Sequence, residues 1–312
     1  VRRVWIYVVS GAALLVALIL AAAGIGDDPA KLSNWQAFVL GAVQGVTELL
    51  PISSSGHLIL VPWFGDWHYL EENESFHKTF DVALHLGTLV AVVAYFWAEL
   101  WAMAKALGLS IWRRRVEGND ARLAWLVVVA TLPAAVVGAM FADEIDQYLG
   151  EPWQIAIFLA VFGGLLWIAD RRPQSHEVSE FGLRTAIAIG AAQSLALMPG
   201  VSRSGVTITA GRFLGLSRDA AARFSFFLLV PIVLAAVVFQ GTRDVVLGDL
   251  PPGSAGPFVV GMLAAAGTGL LAIAGLLGYV RRHDYTPFVV YRFVMAAIIV
   301  ILIATGTLEA TF

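Results

Sequence analysis

Apolar runs long enough to cross a bilayer recur along most of this chain, and that pattern limits what it can fold into. A hydrocarbon core about 30 Å thick needs roughly 20 apolar residues per helix. About seven runs meet that length: Val4–Gly24, Phe80–Trp101, Arg122–Phe141, Trp153–Ala169, Ala222–Gln240, Pro257–Val280 and Pro287–Thr305. Of the 312 residues, 59% are hydrophobic and 14% charged, and mean hydropathy is +0.78. A soluble globule of that composition would leave large apolar patches in water, so a polytopic membrane protein is expected and a disordered or collagen-like chain is excluded. A net charge of -3 gives no electrostatic case for nucleic acid as a partner. Cysteine is absent, which excludes disulfides, thiolate metal sites and a Cys nucleophile. The first run follows Arg2 and Arg3 and ends in Ala21-Ala22-Ala23, like a signal peptide. Its apolar stretch exceeds the roughly 7–15 residues of a signal core, which favours a retained helix.

Two further apolar stretches, Ala37–Val61 and Thr185–Leu214, are interrupted in the middle. The interruptions read Leu50-Pro51-Ile52-Ser53-Ser54-Ser55-Gly56-His57 and Pro199-Gly200-Val201-Ser202-Arg203-Ser204-Gly205. Broken backbone cannot face lipid, because its N–H and C=O groups would lack partners; it is tolerated where protein buries it or where it lines a wet cavity. Both stretches are therefore predicted to be helix–loop–helix hairpins that enter and leave the membrane on one face. The basic residues agree with this layout. With the N-terminus in the cytoplasm, the inner segments hold Arg2, Arg3, Lys105, Arg113–Arg115, Arg122, Arg171, Arg172, Arg184, Arg212, Arg218, Arg223, Arg281 and Arg282. The outer segments hold only Lys31, Lys78 and Arg243, the bias expected of an inward positive face.

The two broken stretches also match each other at a constant offset. Gly41 pairs with Gly190, Ala42 with Ala191, Gln44 with Gln193, Ser53 with Ser202, Ser55 with Ser204 and Gly56 with Gly205. Each hairpin is followed by three spans, so the second must enter from the face opposite the first. The expected architecture is an all-α polytopic membrane protein with an inverted-topology repeat and two opposed re-entrant hairpins. An added helix occupies residues 1–30, the first repeat 31–170 and the second 171–312. Such repeats place a site near the midplane, where discontinuous helices converge.

The loops carry the chemistry. Gln44 and Glu48 lie four apart and share a helix face. An ionisable Glu48 at membrane depth is a functional candidate, with a structural pairing to Arg203 as the alternative. Ser53, Ser54, Ser55 and Gly56 supply hydroxyls and flexible backbone, although serines in broken helices also cap freed backbone groups. His57 directly after them can act as general acid, general base or phosphoryl acceptor. Around Arg203, Gly200 and Gly205 let backbone N–H groups converge on an oxyanion, and Ser202, Ser204 and Thr207 add hydroxyls. The guanidinium grips phosphate through two parallel bonds. No Walker-type or zinc-binding pattern is present. This set suits phosphoryl transfer on a lipid phosphate, with a hard divalent cation bridging Glu48 and the phosphates. Asp81 and His85, an i,i+4 pair near the outer end of a span, are read as interfacial hydrogen bonding, with a role near the site as the alternative, and Asp170, at a span end, is expected to meet water.

At these motifs the chain resembles the undecaprenyl pyrophosphate phosphatase family of the bacitracin-resistance type. The resemblance rests on Gln44-Gly45-Val46-Thr47-Glu48, Pro51 through His57 and Pro199 through Thr207, with support from Phe80–Thr88, Gly211–Ser217 and Tyr291-Arg292. It implies hydrolysis of undecaprenyl diphosphate to the monophosphate and phosphate, recycling the lipid carrier of peptidoglycan synthesis and giving bacitracin resistance. It also implies a bacterial plasma membrane location among membrane lipids and a need for Mg²⁺ or Ca²⁺. The family's essential positions map onto Glu48, Ser54, His57 and Arg203. Gln44 stands at the first acidic position of the motif. The family pattern allows this, but it weakens the case for a metal shared by two carboxylates and leaves any base role to Glu48. Ser54, His57 and water all stay open as nucleophile. A lipid-phosphate or phosphate transporter is the competing reading, since inverted repeats with broken helices also build transporters. Small residues at Gly163 and Gly164 are compatible with a homodimer, but their spacing makes no case for one.

Overall fold

The computed structural model describes residues 32–65, 67, 74–173, 177, 182–240, 255–307 and 309–310. The helix expected at Val4–Gly24, with Lys31 and Arg243, lies outside the described residues. Within them the chain is all-helical: α1 (Asn34–Leu49), α2 (Ser54–Gly65), α3 (Glu74–Tyr95), α4 (Trp97–Arg113), α5 (Gly118–Tyr148), α6 (Pro152–Asp170), α7 (Leu183–Ser194), a 3₁₀ turn (Leu195–Leu197), α8 (Arg203–Phe213), α9 (Arg218–Gln240), α10 (Ala255–Val280) and α11 (Thr286–Ala304). Among the described residues, six segments are long and apolar enough to cross a membrane: Phe76–Tyr95, Gly118–Phe141, Pro152–Asp170, Arg218–Val238, Ala255–Val280 and Thr286–Ala304. They coincide with six of the expected spans, and the protein is an all-α, multi-pass membrane protein.

Two boundaries differ from the sequence reading. The span expected to reach Trp101 stops at Tyr95, because Phe96 leaves helical geometry (φ -103°, ψ 23°) before α4 begins. Phe96 is apolar and fully buried, so hydropathy runs unbroken through the turn and hides it. In α5 the helix continues beyond the apolar segment, with a kink at Phe141 (φ -129°, ψ 17°) just before the acidic stretch.

The described residues of Val1–Leu49, His57–Tyr95 and Ile232–Leu276 make one compact unit, and those of Leu50–Gly56, Phe96–Pro231 and Leu277–Phe312 a second. In the first, Leu32, Ala37, Leu40, Leu58, Phe76, Phe80 and Leu84 form the core, with the Phe258 ring set edge-on to Phe76 and Phe80. Here α1 approaches α10 closely. A Cβ on Gly41 would lie 2.2 Å from the Gly261 carbonyl oxygen, so only glycine permits the crossing.

In the second unit, α5 packs on α4 and α7, α6 on α11, and α8 on both α6 and α7. Gly190 repeats the role of Gly41: its Cβ would meet the Ala130 carbonyl oxygen of α5 at 2.4 Å. Asp170, expected to meet water, is instead buried. Its Oδ1 accepts from Arg212 Nε at 3.1 Å and Arg218 Nε at 2.7 Å, and its Oδ2 accepts from the Tyr285 amide at 2.9 Å. Arg212 is itself fully enclosed. The pairing joins residues far apart in the chain, which no local pattern reveals.

Candidate active site

The two interrupted stretches are helix–break–helix as expected, and the breaks share one conformation. Ser53 and Ser202, partners in the sequence repeat, both adopt left-handed backbone, with φ of 76° and 75°. Each side chain then accepts from the backbone three residues on: Ser53 Oγ from the Gly56 amide at 3.3 Å, and Ser202 Oγ from the Gly205 amide at 3.0 Å. Left-handed backbone is costly for a residue with a Cβ, about 1–3 kcal/mol, and persists where its surroundings enforce it. The next residue in each loop opens a helix, Ser54 for α2 and Arg203 for α8. Two of the residues singled out as essential, Ser54 and Arg203, thus stand at helix N-termini, where the unbonded amides carry partial positive charge suited to a phosphate.

Leu50–Gly56 and the Met198–Ser202 turn are bonded directly to each other. Ser53 Oγ accepts from the Gly200 amide at 3.1 Å, and Ser204 Oγ donates to the Leu50 carbonyl at 2.8 Å. Gly200 has φ +99°, and a Cβ there would lie 2.9 Å from the Ile155 carbonyl oxygen, so no other residue fits. The strongest tie is Arg292, fully buried in the last span. Its Nη1 donates to the Pro51 carbonyl at 3.1 Å, and its Nη2 to those of Gly200 at 2.9 Å and Val201 at 3.1 Å. The same side chain reaches Leu159 and Phe158 carbonyls of α6. Gly163 packs beside its stem, with the Arg292 Cβ 3.4 Å from where a Cβ would sit, an ordinary packing distance.

Several hydroxyls expected at the substrate therefore have structural partners. Besides Ser53 and Ser204, Ser202 Oγ lies 3.2 Å from Ser204 Oγ, and Thr207 Oγ1 donates to the Arg203 carbonyl at 2.7 Å. Thr207 Oγ1 is also 2.8 Å from Ser225 Oγ. Arg203 Nη1 donates to the Ser225 carbonyl at 2.7 Å, which aims the guanidinium. Ser54 and Ser55 are half-buried and Gly56 is buried.

In the first unit, Gln44, Glu48 and His57 are all buried. Gln44 Nε2 donates to Glu48 Oε2 at 3.3 Å, as the i,i+4 spacing predicts. The same carboxylate oxygen lies 3.6 Å from His85 Nε2. Of the two readings the sequence left for His85, the one near the site agrees with this approach to Glu48. Its Nδ1 donates to the Asp81 carbonyl at 2.7 Å, which fixes the ring. Gln44 Oε1 is buried with no hydrogen-bond partner among the described residues, and so is Oε1 of its repeat mate Gln193.

Sequence reasoning did not place Ser225 or Arg292 at these loops, and it gave His85 a place near the site only as its second reading. For Arg292 the signal was available: a charged residue inside a span is a functional candidate by default. For Ser225, a lone hydroxyl in an apolar helix, there was none.

A family profile described as bacitracin resistance protein BacA matches residues 37–298. The chain is 44% identical over 279 residues to an undecaprenyl-diphosphatase of Thermomicrobium roseum, covering 86% of this chain and 98% of that one. It is 42% identical over 271 residues to an undecaprenyl-diphosphatase of Pelotomaculum thermopropionicum, covering 86% and 97%. With one of Nocardioides it shares 39% over 277 residues, covering 88% and 98%. These matches span both loops and every helix that positions them, and the chain belongs to the BacA bacitracin-resistance family.

Proposed function

We propose that this protein hydrolyses undecaprenyl diphosphate to undecaprenyl phosphate and inorganic phosphate, recycling the carrier for wall synthesis in a bacterial plasma membrane and conferring bacitracin resistance. The observation that carries the reading is near full-length similarity to undecaprenyl-diphosphatases combined with Glu48, Ser54, His57 and Arg203 standing in the motifs. Arg203, aimed by Ser225, binds the diphosphate together with the amides at the start of α8, and stabilises charge that develops as the bridging P–O bond breaks. Glu48 is general base or cation ligand. Ser54 or His57 attacks the terminal phosphorus or activates a water that does, and the other moves the proton. Gln44, Ser55, Gly56 and the Gly200–Gly205 backbone complete the substrate contacts. In this reading Ser53, Ser202, Ser204 and Thr207 act by holding the loops in shape. No observation favours transport over hydrolysis.

A divalent cation, Mg²⁺ or Ca²⁺, is part of the proposal. No group of three or more His, Cys, Asp or Glu with metal-holding geometry occurs among the described residues. Glu48 and the unpartnered Gln44 oxygen are nevertheless hard donors of the right kind. Mg²⁺ is commonly held by one or two carboxylates plus substrate phosphates, and this donor set fits that mode. When bound, the cation would neutralise phosphate charge. The reading also includes a cytoplasmic N-terminus and an inverted repeat with re-entrant hairpins. The homodimer is tested by the particle mass of the purified protein.

The test is phosphate release from undecaprenyl or farnesyl diphosphate by detergent-purified protein, with and without Mg²⁺ or Ca²⁺, beside Arg203→Ala. Release dependent on the cation and on Arg203 is expected. No release from folded protein would overturn the reading.

A further inference from the structure

The second unit carries a cavity that the hydrolase reading leaves unused. It has a volume of about 360 Å³ and lies where α6 ends and where α9 and α11 begin. Small-molecule sites commonly hold about 300–1,000 Å³. Arg171, Arg172 and Arg218 line it. Two of these guanidinium groups are held in place by the protein itself. Arg218 Nε donates to Asp170 Oδ1 at 2.7 Å and its Nη2 to the Asp170 carbonyl at 3.4 Å, which leaves Nη1 without an acceptor among the described residues. The Arg171 guanidinium lies 3.4 Å over the Trp167 ring, a contact that engages its face and leaves its N–H groups available. The charges do not cancel. Asp170 is buried, and its carboxylate is already bonded to Arg212, Arg218 and the Tyr285 amide. The other carboxylate of the lining is Asp284, exposed at the rim, with Oδ1 accepting from the Thr286 amide. With Arg212 counted, four guanidinium groups stand against two carboxylates, an excess of two positive charges.

Depth in the membrane selects the ligand. Trp167 is 41% exposed three residues before the end of a span, the level at which Trp sits among lipid headgroups. Further into the same spans, Leu165, Ile168, Val290 and Val294 present exposed apolar surface on α6 and α11. We propose that the cavity binds the headgroup of an anionic glycerophospholipid from the leaflet it faces. The phosphodiester sits among Arg171, Arg172 and Arg218, and the acyl chains run along the apolar surface of α6 and α11. Basic pockets between membrane helices are suited to such headgroups. Thr286 and Asp284 line the same cavity and supply partners for headgroup hydroxyls. A free phosphate ion would use the guanidinium groups but neither the apolar surface nor most of the volume. None of the lining residues belongs to the two interrupted loops, so the site stands apart from the hydrolase reading. A lipid held there ties the ends of three helices together and binds only the folded chain, which stabilises it.

The experiment is native mass spectrometry of the purified full chain in nonionic detergent, with phosphatidylglycerol or phosphatidylcholine of the same acyl chains added, beside thermal melts in the same mixtures. Phosphatidylglycerol should be retained at least about tenfold more strongly than phosphatidylcholine and should raise the melting temperature. Inorganic phosphate at equal concentration should not displace it. Joint Arg171→Gln and Arg172→Gln substitution should weaken retention about 30-fold, the electrostatic worth of two basic residues at a charged lipid surface. Joint Arg113→Gln and Arg115→Gln substitution removes the same charge from exposed positions at the end of α4 and should leave retention unchanged. Equal retention of the two lipids overturns the proposal. Equal loss in the two double variants also overturns it, because general surface charge would then hold the lipid. Displacement by inorganic phosphate would give the cavity to a free anion and overturn the lipid assignment. The lipid and phosphate comparisons on the wild-type chain are decisive even if a variant misfolds.

Discussion

A guanidinium removed from solvent must place its N–H groups on acceptors, and Arg292 places them on backbone carbonyls that include those of Pro51, Gly200 and Val201. Replacing it with Met would strand those oxygens, and each unsatisfied buried acceptor costs about 1–3 kcal/mol. Arg292→Lys keeps the charge but cannot fork to several carbonyls. Thermal unfolding in detergent should therefore rank wild type above Arg292→Lys and that above Arg292→Met; an unchanged melting temperature in the Met variant would refute the clamp. Ser53 and Ser54 are neighbours with separable roles. Ser53 accepts from two amides across two loops, so Ser53→Ala should lower stability by about 1 kcal/mol, the usual cost of losing a cap. Ser54 opens the helix beyond that cap. Ser54→Ala should melt like wild type and lose at least about 100-fold in turnover, the smallest effect expected for a nucleophile or proton-transfer group. Equal behaviour of the two variants would undo the assignment.

At the scale of elements, Gly41 and Gly190 matter for the room they leave. Added Cβ atoms would meet carbonyl oxygens at 2.2 Å and 2.4 Å, so α1 must move off α10 and α7 off α5. Overpacking of this kind costs about 1–3 kcal/mol, and Gly41→Ala and Gly190→Ala should both lower the melting temperature. A null effect of either would mean that its crossing adjusts freely. Asp170→Asn is a sharper perturbation. It leaves the enclosed Arg212 without its counter-charge, and breaking a buried pair costs about 3–5 kcal/mol; a thermal melt reads it directly. These elements also mark what the sequence could reveal. The six spans and both interruptions were legible because hydropathy, proline and the paired Gly and Ser positions are local signals. The turn at Phe96 was not, because an apolar residue buried in protein reads like one facing lipid. The Asp170 cluster and the His85–Glu48 approach were hidden because their partners lie on separate helices, and periodicity says which face a residue occupies but not what it meets.

At the scale of the whole molecule, the proposed orientation rests on charge. Arg113, Arg114 and Arg115 close α4, whereas the connection between α5 and α6 has no basic residue from Met140 to Asp170. A single span separates them, Gly118–Phe141, so they must lie on opposite sides of the membrane. Basic segments are favoured in the cytoplasm, so the proposed orientation puts the Arg114 side in the interior and Gln147 on the exterior. The chain contains no cysteine, so one introduced thiol is an unambiguous reporter. Arg114 and Gln147 are both solvent-exposed, and neither belongs to the proposed site. In intact spheroplasts a membrane-impermeant maleimide should label Gln147→Cys at once and Arg114→Cys only after lysis. The reverse pattern would invert the molecule and place both hairpins on the faces opposite to those proposed. Labelling of both without lysis would mean that Gly118–Phe141 does not cross, and the repeat would lose the odd number of spans that sets its two hairpins in opposition.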